Sequence, residues 1–496
     1  MRTPPSVAVA VTIDWPNVRL DYSFEGKIEP LPQPEGSYFY LPFEVPENTS
    51  RITVSYHYEN SGQASESPEP PPSAERPDHN VIDIALFDSR GIDPITGGFR
   101  GYSGSARQSF FLSPHDATPG YLPGELAVGQ WNIMLGVAQL LPEGARWWAS
   151  VEIDVDNLQH GGLAETTWRT RSTSEEHAHE GGRWVPGDLH SHTEHSDGAN
   201  TVGELAAYAY EMGLKYLAIT DHNTTSHHRE VADHSSNELF LIPGEEVTTY
   251  YGHANVWGLR DWVDFRCRDD DGLRRIVDLV HDRGKLFSIN HPKRGGPDWR
   301  FHNTVFDCVE VWQAPWRWRN QESLDLWSRM LREGHRVVGV GGSDIHAVPP
   351  APVVVPGHGP GNPCTWLWIE GAVSEERVLE AIRAGHVLIS ESANGPLVDM
   401  RVGAALPGDE AVVKEGPLEV SLRLEGCQGR TVRLLYNEDE VWRKRYEVEF
   451  ADEIVELVAE HDGPLRAELW GERGRPERGE VVWALTNPIY LEIRKP

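Results

Sequence analysis

The chain is short of cysteine, of basic charge and of long apolar runs, and each shortage removes a class of protein. Its four cysteines, Cys267, Cys308, Cys364 and Cys427, stand at no paired spacing. That excludes a disulfide framework and a thiolate zinc site, and fits a reducing compartment. The 45 Lys and Arg are outnumbered by 76 Asp and Glu, leaving a formal charge of −31. Such a field repels polyanions unless a local basic patch opposes it, so no nucleic-acid partner is expected. No stretch reaches the ~20 apolar residues of a spanning helix. The start, Met1 to Pro16, has a Val/Ala run broken by Asp14 and Pro16, too short for a signal-peptide core. The reading is a cytoplasmic protein with no membrane partner. The glycines of Gly357-His358-Gly359-Pro360-Gly361 lack the Lys-Ser/Thr ending and following helix of a phosphate-cradling loop, and read as turn residues.

What is present is a globular composition, 39% hydrophobic and 24% charged, in 496 residues, enough for two to four domains. Up to about residue 180 the period is two. Val151, Ile153 and Val155 alternate with Glu152, Asp154 and Asp156, and Ile52, Val54, Tyr56 and Tyr58 keep the same beat, predicting half-buried antiparallel strands. Ser61 to Pro77, rich in Pro, Ser and Glu, reads as an exposed loop, and Arg171 to Gly182 as a linker. From there helix and strand alternate. The spacing predicts helices over Val202–Met212, Leu273–Arg283, Gln321–Arg332 and Glu375–Ala384, each stopped by a glycine and followed by an apolar strand. Such units imply a parallel sheet, closed or open. Beyond Asn394, Leu418, Val420, Leu422 and Leu424 restore strict alternation and a second β region.

Five segments put metal-binding side chains at predicted strand ends, where α/β barrels build their sites. Asp188-Leu189-His190-Ser191-His192 offers two histidines on one side of an extended backbone, so both can hold one cation. Asp197, beyond the turn Ser196-Asp197-Gly198, can bind a neighbouring one. Thr220-Asp221-His222 follows an apolar strand, with His222 at its tip and Asp221 placed to orient a ligand. Pro243-Gly244-Glu245-Glu246 precedes His253. A carboxylate here can bridge two cations, and Glu246 is taken over its neighbour Glu245. Asn290-His291-Pro292 and Gly342-Ser343-Asp344-Ile345-His346 end two further strands. One histidine at a strand end is usually a structural hydrogen-bonding residue, but five such segments in order point to a metal centre.

In order and spacing these segments (HxH with SDG, TDH, PGxE with a downstream His, His-Pro, GSDxH) resemble the polymerase-and-histidinol-phosphatase (PHP) family of metal-dependent hydrolases, across residues 187 to 391. The resemblance implies an α/β fold: a distorted (β/α)7 PHP barrel over 183–393. An N-terminal β-sandwich domain with linker (1–182) and a C-terminal β-sandwich domain (394–496) would flank it. Carried over residue by residue, His190, His192, Glu246 and Asp344 would bind one cation. Glu246, His253 and His291 would bind a second, and Asp197, His222 and His346 a third. Phe99-Arg100-Gly101-Tyr102-Ser103-Gly104, Ala117 to Tyr121 and Leu485 to Tyr490 are similar to the branch that includes carbaryl hydrolase.

Divalent cations lower the pKa of water and stabilise charge on a substrate oxygen, so no protein nucleophile is required. Asp344 is expected to orient the attacking water, and Asp221 is the second candidate catalytic carboxylate. Histidine and carboxylate donors suit Mn, Zn or Fe, two or three ions in all. Lys293 and Arg294 are candidate partners for an anionic substrate. Trp316 and Arg317, in Gln313 to Arg319, are candidates to sandwich an apolar or anionic one, with domain contact an equal use of the tryptophans. The expected substrate is a small-molecule phosphoester, with a carbamate or carboxyl ester as the alternative. A polysaccharide- or protein-binding module around an idle barrel is the reading from another class. His177 and His179 form a second HxH in the charged linker and read as solvated. His227, His228 and His234 read as exposed or supporting, and Ala347 to Pro363 as a loop beside the site able to act as a lid.

Overall fold

A computed structural model describes residues 12–14, 18–30, 37–60, 79–94, 97–156, 181–295, 299–302, 306–355, 357–473 and 479–494. The loop expected over 61–77, most of the linker expected over 171–182, and His177 and His179 with it, lie outside these residues. The two-residue beat before residue 156 becomes two antiparallel sheets. One contains Val18–Ile28, Ala145–Val155 and Thr49–Tyr58, and the other Ser37–Val45, Gly129–Gln139 and Val81–Phe87. Ile52, Val54, Val151 and Ile153 of the first sheet meet Leu41, Ile84, Ile133 and Leu135 of the second in one buried core. Alternation thus becomes two layers because each strand has one apolar side to hide.

In the central region the helices are α1 (Val202–Glu211), α2 (His228–His234), α3 (Asp270–Asp282), α4 (Asn320–Arg332) and α5 (Glu375–Arg383). Thr201 and Glu204 cap α1 reciprocally, and the side chains of Asp269 and Ser374 accept from the first turns of α3 and α5. Each satisfies amides the helix cannot pair itself. Gly213, Gly284, Gly334 and Gly385 follow four of the helix ends with φ of +89°, +66°, +87° and +72°, the left-handed turn that stops a helix.

The expectation of a parallel sheet needs correction. Tyr216–Ile219 lies parallel to Gly182–Asp188 and to Phe240–Thr249, and Cys308–Gln313 lies parallel to Leu286–Ile289 and to Val338–Gly342. Between these groups, however, Phe240–Thr249 turns directly into Gly252–Trp257 as an antiparallel hairpin. A two-residue connection cannot carry a crossover, so this pair must be antiparallel. Gly252–Trp257 then pairs antiparallel with Leu286–Ile289, and Gly182–Asp188 with Cys364–Glu370. The sheet curls until Val338–Gly342 meets its other side. Thr365 Oγ1 bonds Gly341 N (2.9 Å) and Gly341 O (2.7 Å), and the Asn487 amide bonds Gly339 N and O at 2.8 Å each. At the rim, a single parallel bridge joins Ser191 to Ile345.

The same sheet runs on through Val387–Ser390 into Glu480–Thr486 of the C-terminal region, pairing Leu388 with Thr486. There Val420, Leu422 and Leu424 are buried against Val432, Leu434, Leu465 and Leu469. All four cysteines are free and buried. Among the described residues no helix is long and apolar enough to cross a membrane.

Candidate metal centre

Gly182–Asp188 delivers the first histidine pair, and its last residue sets the loop. The buried Asp188 carboxylate accepts from His190 N (3.2 Å), Ser343 N (3.0 Å) and Gly361 N (2.7 Å), tying three loops together. His190 and His192 point the same way, with their Nε2 atoms 3.1 Å apart. His222, just past the end of Tyr216–Ile219, forms a parallel bridge with Glu246 inside the neighbouring strand Phe240–Thr249. Asn223, His291 and Asp344 have positive φ (51°, 30° and 51°). Three chain segments therefore bend through the left-handed region at this rim, a strain that persists only where the surroundings impose it.

Three groups of donors result, the atoms of each lying within 4.8 Å of one another: His190, His192, Glu246 and Asp344; His222, Glu246 and His253; His192, Asp197, His222 and His346. The groups share members, with Glu246 joining the first two and His192 and His222 tying both to the third. Around Glu246 Oε2 lie His222 Nδ1 at 2.9 Å and the Nε2 atoms of His190 and His192 at 3.4 Å. Asp344 Oδ1 is 2.9 Å from His192 Nε2 and 3.3 Å from His190 Nε2. Asp197 Oδ1 is 3.3 Å from His346 Nε2 and 3.6 Å from His222 Nε2. Ligand atoms about 2.1 Å from one ion lie roughly 3.0–3.4 Å from each other in octahedral or tetrahedral geometry, so the spacing fits a shared cation. Glu246 Oε2 makes no hydrogen bond despite the nitrogens crowded around it, and His192 Nδ1 and His291 Nδ1 are likewise buried without one, which native interiors rarely allow. The donors are all nitrogen and oxygen, a set suited to divalent cations. His291 Nε2 and His253 Nδ1 both lie 3.2 Å from Glu246 Oε1, their rings 5.3 Å apart, although His291 falls outside the three tight groups.

Electrostatics tell the same story. Burial opposes ionisation of Glu246 and Asp344, yet the surrounding histidines hold both carboxyls well below their ordinary range. Burial would likewise lower His222 and His346, but Glu246 and Asp197 respectively lead the carboxylates that raise them to about 9 and about 10. His192, buried between those two cation-forming rings, falls to about 4.

Behind the ring nitrogens stands a further set of residues, some of which sequence reasoning missed. Glu310, 2% exposed, lies 2.9 Å from His190 Nδ1 and accepts from His291 N at 2.8 Å. Gln313 Nε2 donates to Asp344 Oδ2 (2.8 Å), Asn290 Nδ2 to Glu246 Oε1 (2.9 Å), and Thr248 Oγ1 lies 2.6 Å from His222 Nδ1. The Asp221 carboxylate accepts from Thr193 N (2.8 Å), Thr193 Oγ1 (2.6 Å) and Ser196 Oγ (2.6 Å). Fully buried and bonded to that loop, Asp221, the second candidate catalytic carboxylate, shapes the segment carrying Asp197 and belongs to none of the three donor groups. His227 and His228 are buried rather than exposed, their Nε2 atoms 3.0 and 3.1 Å from Gly244 O.

The candidate substrate contacts separate. Lys293 Nζ donates to Asn320 Oδ1 (2.8 Å) and Gln313 O (3.1 Å), and burial pulls its ammonium down to about 7. Arg294 pairs with Glu322 at 2.9 Å. Trp316 is 6% exposed and packs edge-on against Trp312 and Trp470, 4.9 and 6.3 Å between ring centroids. It is a core residue where central and C-terminal regions meet, with little surface left to receive the substrate expected there. Arg317 is exposed, 5.8 Å over Trp318, whose ring stands 5.4 Å from His358. His358 donates to Ser343 O at 2.5 Å, fastening the Pro/Gly loop beside the site.

Comparison with known proteins adds the following. Residues 188–299 match the sequence model of the PHP domain. A 72-residue stretch is 48% identical to the 5'-3' exoribonuclease Rnm of Escherichia coli K12, and equally to that of Salmonella typhimurium LT2. Each alignment covers 14% of this chain and a quarter of the relative. Among solved structures, a two-domain Bacteroides vulgatus protein containing a predicted PHP-like metal-dependent phosphoesterase aligns at 14% identity, covering 65% of this chain and all of that one, with a TM-score of 0.34. A Bifidobacterium adolescentis protein assigned as a metal-dependent phosphoesterase aligns at 17% identity over 39% of this chain and 94% of its own, with a TM-score of 0.27.

Proposed function

Since residues 188–299 carry a PHP domain, we propose that the chain is a metal-dependent hydrolase acting on phosphoesters. The observation that carries this reading is the set of three donor groups around Glu246 Oε2, a buried oxygen that makes no hydrogen bond although three ring nitrogens stand within 3.4 Å. His190, His192, Glu246 and Asp344 would hold one divalent cation. Glu246 and His253, flanked by His291, would hold a second, and Asp197, His222 and His346 a third. When bound, such cations supply an acidified water and stabilise negative charge on the substrate oxygen. The chain's own residues do the rest. Glu310 fixes the tautomer of His190 by taking Nδ1–H, which leaves Nε2 as the donor. Gln313 anchors Asp344 through Oδ2, so Oδ1 orients the attacking water. The curled sheet is read as a distorted (β/α)7 barrel, one hairpin being its distortion. The proposed domains are 1–182, 183–393 and 394–496, supported by the separate apolar cores of the two flanking regions.

A local reversal of charge favours the anionic substrate. Directly after His291 a groove of about 1290 Å³ begins at Pro292 and Lys293 and continues past Arg294, Arg300, Arg329 and Arg336; Glu322 and Glu333 line it too, and Glu410 beside it pairs with Arg336. In a chain of −31 that concentration of cations draws phosphate towards this flank. The carbamate or carboxyl-ester reading loses the support of Trp316. The name of the Rnm relatives makes a short oligoribonucleotide worth including in the test, although the overall charge opposes it.

The purified protein, loaded with Mn or Zn, is assayed on p-nitrophenyl phosphate, bis-p-nitrophenyl phosphate, 1-naphthyl carbamate and a 5'-phosphorylated oligoribonucleotide. Turnover of a phosphate substrate above the others, lost on chelation, is expected. Preferred cleavage of the carbamate would overturn the phosphoester reading, and less than one equivalent of bound metal would overturn the enzyme.

A further inference from the structure

The rim that carries Asp197 and His222 is clamped from outside the central region. Thr224 Oγ1, two residues past His222, donates to Gly120 O at 2.9 Å, and Gly120 N donates back to Ser226 Oγ at 3.0 Å. Ser226 Oγ in turn lies 2.8 Å from Nδ1 of His195, two residues before Asp197. Arg107 NH2 donates to Glu194 O. Gly120 has φ +99°, and a Cβ there would stand 2.8 Å from Tyr102 O and 2.9 Å from His195 O. No side chain fits, and the turn bears directly on the loop. Two further contacts come from the same side. Trp262 Nε1 donates to Asn223 O (3.1 Å) while its ring lies flat on Phe99 at 4.0 Å. Tyr250, at the tip of the hairpin bearing Glu246 and His253, shares the buried Asp83 carboxylate with Tyr102 at 2.8 and 2.9 Å.

The group His190, His192, Glu246 and Asp344 is held differently. Its buttresses, Asp188, Glu310, Gln313 and Asn290, all belong to the central region. Asp197, by contrast, has a side chain 44% exposed, so the position of its carboxylate follows from where the backbone of residues 193–198 is held. Resting on the metal reading above, we infer that the turn around Gly120, with Thr224, Ser226 and Arg107, is a positioning device of the N-terminal region. It sets the distance between Asp197 and His222 and thereby the affinity of the cation that Asp197, His222 and His346 would hold, leaving the cation of His190, His192, Glu246 and Asp344 nearly untouched.

The test is stepwise Mn titration of the metal-free full-length protein, followed by electron paramagnetic resonance and by metal analysis, with the melting temperature of each metal-free form as a control. Thr224→Val with Ser226→Ala removes both hydroxyls at little change in volume, and Arg107→Ala releases the other, half-buried end of the clamp. Each is expected to weaken one binding step at least ten-fold, to leave the remaining steps within two-fold, and to keep the metal-free melting temperature close to that of the parent. Thr224→Ser, which keeps the hydroxyl, restores the weakened step. Uniform weakening of every step, or no change in any, overturns the positioning role while the metal reading stands. A parent protein that takes up no cation overturns both.

Discussion

Asp344 and Glu310 act at opposite ends of the first histidine pair, and their roles separate by experiment. Asp344 faces the donors with a side chain 16% exposed, one oxygen fixed by Gln313 and the other beside His192. Asp344→Asn keeps the shape and removes the charge. It should lower kcat at least ~10³-fold, with the melting temperature and substrate affinity largely retained; turnover within ten-fold of the parent would remove Asp344 from the chemistry. Glu310 is buried behind the ring of His190 and works through it. Glu310→Gln should weaken cation binding by roughly 10- to 100-fold, the usual cost of losing a ligand's outer partner, and competition with a chelator measures it. His222 and His346, raised to about 9 and about 10 in the metal-free protein, carry protons at pH 7.5 that a cation must displace. Metal binding at that pH should therefore release protons, and release should diminish as pH rises through those values. Calorimetry in buffers of different ionisation enthalpy counts them, and zero release at pH 7.5 would contradict the assignment.

Among the elements, α4 and the strand before it show how the same side chains can serve two ends. Trp312, Trp316 and Trp327 form a buried aromatic wall that meets Trp470 and Arg466 of the C-terminal region. Arg466, 1% exposed, is saturated by Glu438 and Glu468 and donates to Ser328 of α4 at 3.0 Å. Trp316→Ala should accordingly cost about 3–5 kcal/mol of stability, the range for deleting a buried aromatic ring, with KM for p-nitrophenyl phosphate unchanged below the melting point. A raised KM at parental stability would return Trp316 to the substrate site. The loop around it reads identically in sequence for either use, because an exposed aromatic platform and a buried interdomain wall draw on the same residues.

For the whole molecule, neither flank is an appendage. Ala85, Phe87, Phe99 and Met134 of the N-terminal region share one buried cluster with Val247, Ala254 and Val256 of the hairpin behind Glu246, and the central sheet passes without a break into Glu480–Thr486. A fragment of residues 181–393 would expose both faces, so it should aggregate or lack a cooperative melting transition, by light scattering and calorimetry. A soluble fragment binding metal with parental affinity would show the flanks to be dispensable. The sequence by itself determined four of the five described helices and their glycine stops, the alternating strands, and His190, His192, Asp197, His222, Glu246, His253, His291, Asp344 and His346 as candidate ligands. These follow from local rules, a period of two or 3.6 and a polar residue where an apolar run ends. Only the tertiary structure decided the direction of Gly252–Trp257, the burial of Trp316, the turning of Asp221 onto its own loop and the place of Glu310 behind His190. Val309-Glu310-Val311 reads as a strand with one wet side, and a carboxylate becomes an inner residue only when a distant histidine, 120 positions earlier, arrives to share its charge.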